Sequence, residues 1–576
     1  MIRDKNSLIS PPFIKRCYNV PYFKKGYVLL TTPATTNARL AHNLFPAQAA
    51  TAQDKQRLPA SNVPTPLTQV CGPDVLGPAP QKHSASSPAV LAQGSILSAV
   101  RPDPSPAALA QALQAADVIV VGAGFAGAVV ARELAERGGR RVTLLEQRHH
   151  IGGNAYDEYD ASGVLVHRYG PHIFHTNSRR VFDYLSRYTG WYTYHHQVLA
   201  DIHGIYTPVP FNFNSIELHF AADEAQRIIA RLLEVFGPDT KIPIIELRKS
   251  ADPLLERLAD FVYRNVFLYY TQKQWGLRPE EIDPAVTARV PVFSGRDNRY
   301  FTDHYQGMPA AGYTPLFENL LAHPNISVFT GIDARSILGF LTADDGANTG
   351  ADNKNATALP AVRVPHTLKA TRSGGAAAGV SQVGDGDTDM LTSRNSGGPT
   401  GRAQGTLADT APASDQPFTR ILASNRPFTG TLIYTGPLDV LAAQRFGLLP
   451  YRSLDFVYKT VEQKRVLPCG TVNYTVSEDY TRITEFTWLT GQNLNHTTLM
   501  EEYPLAFTDQ PGQIPYYAIS SSKNEAAYRR YLALFNSLPG FFALGRLAEY
   551  RYYNMDQIVE RALTLADRLC AKEKGK

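Results

Sequence analysis

The sequence predicts an α/β fold of the Rossmann-like kind, and three observations carry that prediction. An apolar run, Val118-Ile-Val-Val121, leads directly into Gly122-Ala-Gly124-Phe-Ala-Gly127. A stretch with helical spacing follows, in which Ala126, Val129, Val130 and Leu134 share one face. A second apolar run, Val142-Thr-Leu-Leu145, then ends on Glu146, about 20 residues beyond the glycines. Strand, glycine turn, helix, strand and acid in this order are the layout of a dinucleotide pyrophosphate site.

Each part of that unit has a physical task. Gly122 permits the tight turn, Gly124 lets backbone approach the pyrophosphate, and Gly127 lets the helix pack close on the strand. The helix N-terminus offers unpaired N–H groups and a partial positive charge to phosphate. Glu146 is placed to accept from ribose hydroxyls. A second pair, Gly152-Gly153, precedes Asn154. NAD needs no second backbone turn at this point, whereas the longer FAD lies along one, so FAD is the expected cofactor.

Composition bounds the rest. The 576 residues are 44% hydrophobic, enough for one large or two ordinary domains. A net charge of +5 gives no bulk attraction for nucleic acid. The four cysteines, Cys17, Cys71, Cys469 and Cys570, have neither metal nor disulfide spacing, so a reducing, cytoplasmic setting is expected. No apolar run reaches membrane-spanning length.

Two stretches break the pattern. Residues 1–115 are rich in Pro, Ala, Ser and Thr and read as a low-complexity, disordered extension. Their first part holds Arg3, Lys5, Lys15, Arg16, Lys24, Lys25 and Arg39 against Asp4 alone, so an organelle transit peptide is the alternative reading. Residues 341–427, rich in Ala, Gly, Ser, Thr and Asp, read as a disordered insertion between the apolar runs Ile326-Ser-Val-Phe329 and Thr431-Leu-Ile-Tyr434. One core is then expected over 116–340 and 428–570, with cofactor-binding parts near 116–200 and 535–570.

Downstream motifs supply chemistry. Gly170-Pro-His172-Ile-Phe-His175 has two histidines three apart, but no nearby acid or cysteine completes a metal set. His172 is read as lying beside the flavin ring, with a packing histidine as the alternative. Phe267, Tyr270 and Trp275 interleave with Gln272, Lys273 and Gln274, which a dry core avoids, and suit a stacking shelf for a base. Arg289 and Arg482 offer planar forks to phosphate oxygens. Near the C-terminus, Phe541-Phe-Ala-Leu-Gly545-Arg546 reads as a returning strand. Asn554 then caps an amphipathic helix, Ile558 to Leu569, whose N-terminus favours a negative reduced flavin.

Taken together, Gly122–Gly127, Ile151-Gly-Gly-Asn-Ala-Tyr156, Gly170-Pro-His-Ile-Phe-His-Thr176, Tyr270-Thr-Gln-Lys-Gln-Trp-Gly276, Tyr305-Gln-Gly-Met-Pro309, Arg452-Ser-Leu454 and Gly545-Arg-Leu-Ala-Glu-Tyr550 resemble the bacterial-type UDP-galactopyranose mutase family. The resemblance implies a Rossmann-like FAD-binding domain with inserted helical and antiparallel-sheet substrate domains. It implies interconversion of UDP-galactopyranose and UDP-galactofuranose, with reduced FAD as nucleophile at the anomeric carbon and NADPH or NADH as reductant. A homodimer is the candidate assembly. An amine-oxidase-like FAD oxidoreductase is the alternative function.

By the same resemblance, Arg289 and Arg482 are the diphosphate pair, with Tyr300, Tyr517 and Tyr552. Phe267 and Tyr270 form the uridine shelf, Trp275 lines it, and His196 stands where some relatives have asparagine against the substrate. Gly122, Gly124, Phe125, Ala126, Gly127, Glu146, Gly153, Asn154, His172, Arg546, Asn554 and Met555 are the expected FAD contacts. Many relatives carry an aspartate where Asn554 stands, while Asp556 lies two places on.

Overall fold

A computed structural model describes residues 100–101, 105–282, 290–341, 418–421 and 426–574. They all belong to one unit, Cys71–Lys576. Its organising element is a six-stranded parallel sheet. Val118–Val121 and Val142–Leu145 pair at its centre. Ile326–Phe329 adds beside Val142–Leu145, and Thr431–Tyr434 beside Val118–Val121. Val100–Arg101 and Phe541–Ala543 close the two edges. The sheet is apolar on both faces, as helices covering both sides require. Val118 and Val120 face one core cluster, with helices Phe125–Glu136 and Met555–Lys574; Ile119 faces the other.

The strands Ile326–Phe329 and Thr431–Tyr434 belong to this same sheet, so its strands are not confined to 116–200 and 535–570. The 1–115 expectation is corrected at its end. Val100–Arg101 is a strand, and Pro106–Ala115 is a helix opened by Ser105, whose hydroxyl accepts from Ala108 N–H. Leu113 on that helix is 2% exposed, and Thr143 Oγ1 donates to the Ala112 carbonyl. Burial of this apolar face holds in place a segment whose composition alone suggested disorder. The 341–427 expectation is corrected at both ends. Leu338–Leu341 pairs antiparallel with Phe418–Ile421, which pairs with Arg426–Phe428. The remaining residues of both stretches lie outside the described set.

The second sheet has seven strands in the order Tyr517–Ala518, Tyr451–Val461, Thr497–Ala506, Arg482–Glu485, Thr471–Tyr474, Val198–Ile202 and Ile205–Val209. Every pairing in it is antiparallel except that of Thr471–Tyr474 with Val198–Ile202. Between its strands the chain builds a helical module with its own core, including Phe213–His219, Ala222–Phe236, Pro253–Val262 and Tyr269–Trp275. The C-terminal helix starts earlier and ends later than the sequence suggested, running from Met555 to Lys574. Among the described residues no helix is long and apolar enough to cross a membrane.

Candidate active site

Two glycine turns face each other to form the floor of a deep cleft. At Gly122 φ is +102°, and a Cβ there would strike the Thr435 hydroxyl. A Cβ at Gly127 would run into the Gly122 carbonyl, so this glycine serves helix packing and does not line the cleft. Gly124 is different. It opens helix Phe125–Glu136 with no side-chain cap, and a Cβ would meet only the Gly153 Cα at an ordinary 3.6 Å. Gly153 itself has φ +58°, and a Cβ there would lie 2.8 Å from the Gly124 Cα. The amide of Gly152 donates to Ala123 O at 3.0 Å and locks the two turns together.

Glu146 is nearly buried at the end of its strand and lines the cleft. Its Oε2 accepts from Ala123 N–H at 2.7 Å and its Oε1 from Arg148 N–H at 2.9 Å. Arg148, which sequence reasoning missed, lines the cleft beside it. Its Nη2 donates to Asn154 Oδ1 at 2.8 Å and its guanidinium lies 4.2 Å from the Tyr169 ring centre. Its Nη1 is buried with no hydrogen-bond partner among the described residues. A buried donor left open costs free energy unless an acceptor arrives. An orphaned guanidinium N–H, a cradle without side chains and an uncapped helix N-terminus together fit a dinucleotide pyrophosphate. The signal for Arg148 was available: it stands two residues past the strand-ending acid.

Phe125 and Ala126 line the same cleft, as do Arg546, Asn554 and Met555 on the far wall. Asn554 and Asp556 have different partners. The Asp556 carboxylate accepts from Thr176 Oγ1 at 3.0 Å, tying the C-terminal helix to a neighbouring strand. Asn554 faces the cleft, and its N–H donates to Gln557 Oε1 at 2.8 Å.

His172 lies between the cofactor cleft and the second sheet. Burial first, then the neighbouring His167, Arg546 and Arg482, push its pKa down to about 3, so the ring is neutral. Its Nδ1 sits 2.8 Å from the Gly170 carbonyl. A carbonyl only accepts, so Nδ1 carries the proton and Nε2 keeps a lone pair.

The expected substrate residues converge beside it. Arg482 donates from Nε and Nη2 to Glu502 Oε1 at 3.1 and 3.0 Å. Glu502 is 1% exposed and was missed by sequence reasoning. Burial pushes the Tyr270 hydroxyl up to about 12, with Arg482, Glu502, Tyr300 and Tyr552 all close enough to influence it. Tyr517 and Tyr552 stack at 5.7 Å, Trp275 lies 5.6 Å from Tyr517, and the Arg546 guanidinium sits 4.6 Å from the Tyr552 ring centre. His196, 4% exposed, is pushed down to about 3 by burial, then by Arg482 and His175; it sets its ring edge-on to Tyr300 at 5.8 Å.

The stretch around the expected shelf is more buried than the sequence reading allowed. Phe267 is 6% exposed and joins the core of the helical module, because the π-helical turn Tyr263–Leu268 sends it inward. Lys273 and Gln274 do not interleave a stacking shelf. Lys273 reaches out to three backbone carbonyls, and Gln274 is buried. Arg289 lies outside the described residues.

The fold and cleft define a dinucleotide-binding enzyme whose cleft opens onto an arginine–tyrosine cluster suited to a nucleotide diphosphate. Comparison with known proteins gives the same class. Residues 120–188 match the NAD(P)-binding Rossmann-like domain, and residues 265–351 and 413–552 match the UDP-galactopyranose mutase family. A UDP-galactopyranose mutase from Mycoplasma pneumoniae is 28% identical over 79% of this chain and 96% of its own. A probable UDP-galactopyranose mutase from Klebsiella pneumoniae is 29% identical over 78% and 94%. A dTDP-fucopyranose mutase from Escherichia coli is 27% identical over 78% and 97%. The chain is thus similar to UDP-galactopyranose mutases over more than three quarters of its length, and its 265–351 and 413–552 segments match that family's model.

Proposed function

We propose that this chain interconverts UDP-galactopyranose and UDP-galactofuranose using a bound, reduced FAD. One observation carries the reading. Arg546 lines the dinucleotide cleft while its guanidinium lies over the rings of Tyr552 and Tyr517 on the nucleotide-sugar side. A single side chain belongs to both walls, so the two binding regions adjoin. Reduced FAD supplies a nucleophilic N5 for the anomeric carbon, and the protein then needs no nucleophile of its own.

The chain's tasks are binding, orientation and proton placement. Arg482 grips the diphosphate, its fork pre-set by Glu502, and Arg289 joins it. Tyr300, Tyr517 and Tyr552 donate hydroxyls to phosphate oxygens, and Tyr270 and Trp275 present rings to the uridine. Neutral His172 offers its Nε2 lone pair to a hydroxyl or N–H between cofactor and sugar. An amine-oxidase-like reaction gives no use for the Arg482–Glu502 pair within a tyrosine cluster. NADPH or NADH is the proposed reductant, and a homodimer the proposed assembly. The free thiols of Cys469 and Cys570 fit work in the reducing cytoplasm.

The test is incubation of the holoprotein with UDP-galactofuranose, with and without dithionite, and in parallel with dTDP-fucofuranose. Conversion of the UDP-sugar only when the flavin is reduced is expected. Preference for the dTDP-sugar would move the substrate assignment, and no conversion of either with flavin bound and reduced would overturn the reaction.

A further inference from the structure

We propose that Lys273 is a positioning residue for the nucleotide-sugar site: its ammonium ties the turn that leads into Arg482 to the helix carrying Tyr270 and Trp275. The inference rests on the reading above.

Helix Tyr269–Trp275 and strand Arg482–Glu485 come from distant parts of the chain, yet Tyr270 and Arg482 lie close enough to influence each other's charge. Lys273 donates to the carbonyls of Tyr474 at 2.7 Å, Glu478 at 2.7 Å and Tyr480 at 3.1 Å. An ammonium has three protons, and all three are used on backbone oxygens of one turn. That turn joins strand Thr471–Tyr474 to strand Arg482–Glu485, and Tyr474 N–H closes it on the Thr481 carbonyl at 2.9 Å. Arg482 is the next residue along. Burial lowers the Lys273 pKa, so the charge is held there by the carbonyls and by the nearby Glu478 and Asp479.

The same helix is gripped from the other side. Arg452, on the strand that pairs with Tyr517, donates Nε to the Gln274 carbonyl and Nη2 to the Lys273 carbonyl, each at 2.9 Å. The backbone therefore fixes the helix end relative to Tyr517, and the Lys273 side chain fixes it relative to Arg482. Glu502 holds Arg482 within its own sheet. Without Lys273 both sides of the site persist, and what is lost is their spacing.

Loss of spacing predicts a split in kinetics, because Lys273 touches none of the groups assigned to the reacting centre. In full-length holoprotein, Lys273→Met should raise both KM for the UDP-sugar and Kd for UDP about tenfold, with kcat within about twofold of the parent. Flavin content should be unchanged, and Lys273→Arg, which keeps charge and several donors, should recover most of the affinity. If Lys273→Met does not accumulate as folded protein, Lys273→Gln is measured by the same criteria. KM and UDP affinity within twofold of the parent, even with a lowered Tm, would overturn the inference; so would a fall in kcat at unchanged KM. Parent protein that binds no UDP and converts no sugar nucleotide would instead defeat the functional reading itself.

Discussion

Arg482 Nε and Nη2 both bond a single oxygen of Glu502, at 3.1 and 3.0 Å, and the carboxylate is 1% exposed while the arginine side chain keeps 24%. The acid is sealed and the cation has an open edge. The pair therefore presents a fixed positive fork whose counter-charge is behind it.

Removing the sealed partner should be costly. Glu502→Ala leaves Arg482 without its buried counter-charge and is expected to lower unfolding stability by about 3 kcal/mol in urea titration. Arg482→Ala strands the sealed Glu502 carboxylate in turn and should also lower stability. In the folded variant UDP affinity should fall tenfold or more at unchanged flavin content, since a charged hydrogen bond contributes about 1.5–3 kcal/mol. Unchanged UDP affinity would remove Arg482 from the diphosphate site.

The glycines should separate into two behaviours. Gly122→Ala places a Cβ against Thr435 at φ +102° and is expected to destabilise the apoprotein. Gly124→Ala has room in the fold but fills the cradle. It should leave apoprotein Tm nearly unchanged and reduce the flavin-to-protein absorbance ratio. Equal loss of Tm in both would contradict the assignment of Gly124 to cofactor approach.

Three histidines make stability fall in acid. Burial pushes His167, His172 and His196 each down to about 3 in the folded protein, against 6.5 for an exposed ring. Between those values the unfolded chain binds more protons, so stability is greatest above pH 6.5 and declines as pH drops through the window. Each contributes about 1.4 kcal/mol per pH unit once the pH is well below 6.5. Urea midpoints measured from pH 7.5 to 5 should show this slope. His196→Asn should flatten it by about one third of the three-histidine contribution; an unaltered slope would show that His196 is not held neutral.

The helix ahead of the first glycine turn should matter to the whole sheet. Leu113→Ala deletes a side chain that is 2% exposed and is expected to cost about 2–5 kcal/mol. A loss below about 0.5 kcal/mol, typical of a surface site, would return residues 106–115 to the status of a linker.

What was legible in the sequence was local chemistry. The glycine turns, Glu146 and the far-wall motif around Arg546 announce themselves by spacing along a strand–turn–helix, and the cleft gathers them. The Ser105-Pro106 pair is an N-cap followed by proline at the first helical position, a start signal masked by the Ala- and Pro-rich run around it. The positional ties were not legible. Lys273 meets the Tyr474 carbonyl across 201 residues and Arg452 meets the Gln274 carbonyl across 178, and no spacing rule reaches that far. The burial of Phe267 in the core of the helical module was not legible either, because it sits in a π-helical turn that breaks the α-helical period.

The strand order of the parallel sheet also sets a schedule for synthesis. The two glycine turns emerge early, but strand Thr431–Tyr434 must arrive before Val118–Val121 gains its second neighbour, and Phe541–Ala543 must arrive before Gly545 and Arg546 can stand opposite the turns. Pairings this distant are slow to form and leave apolar strand edges waiting. The cleft is therefore complete only once the last strand has paired.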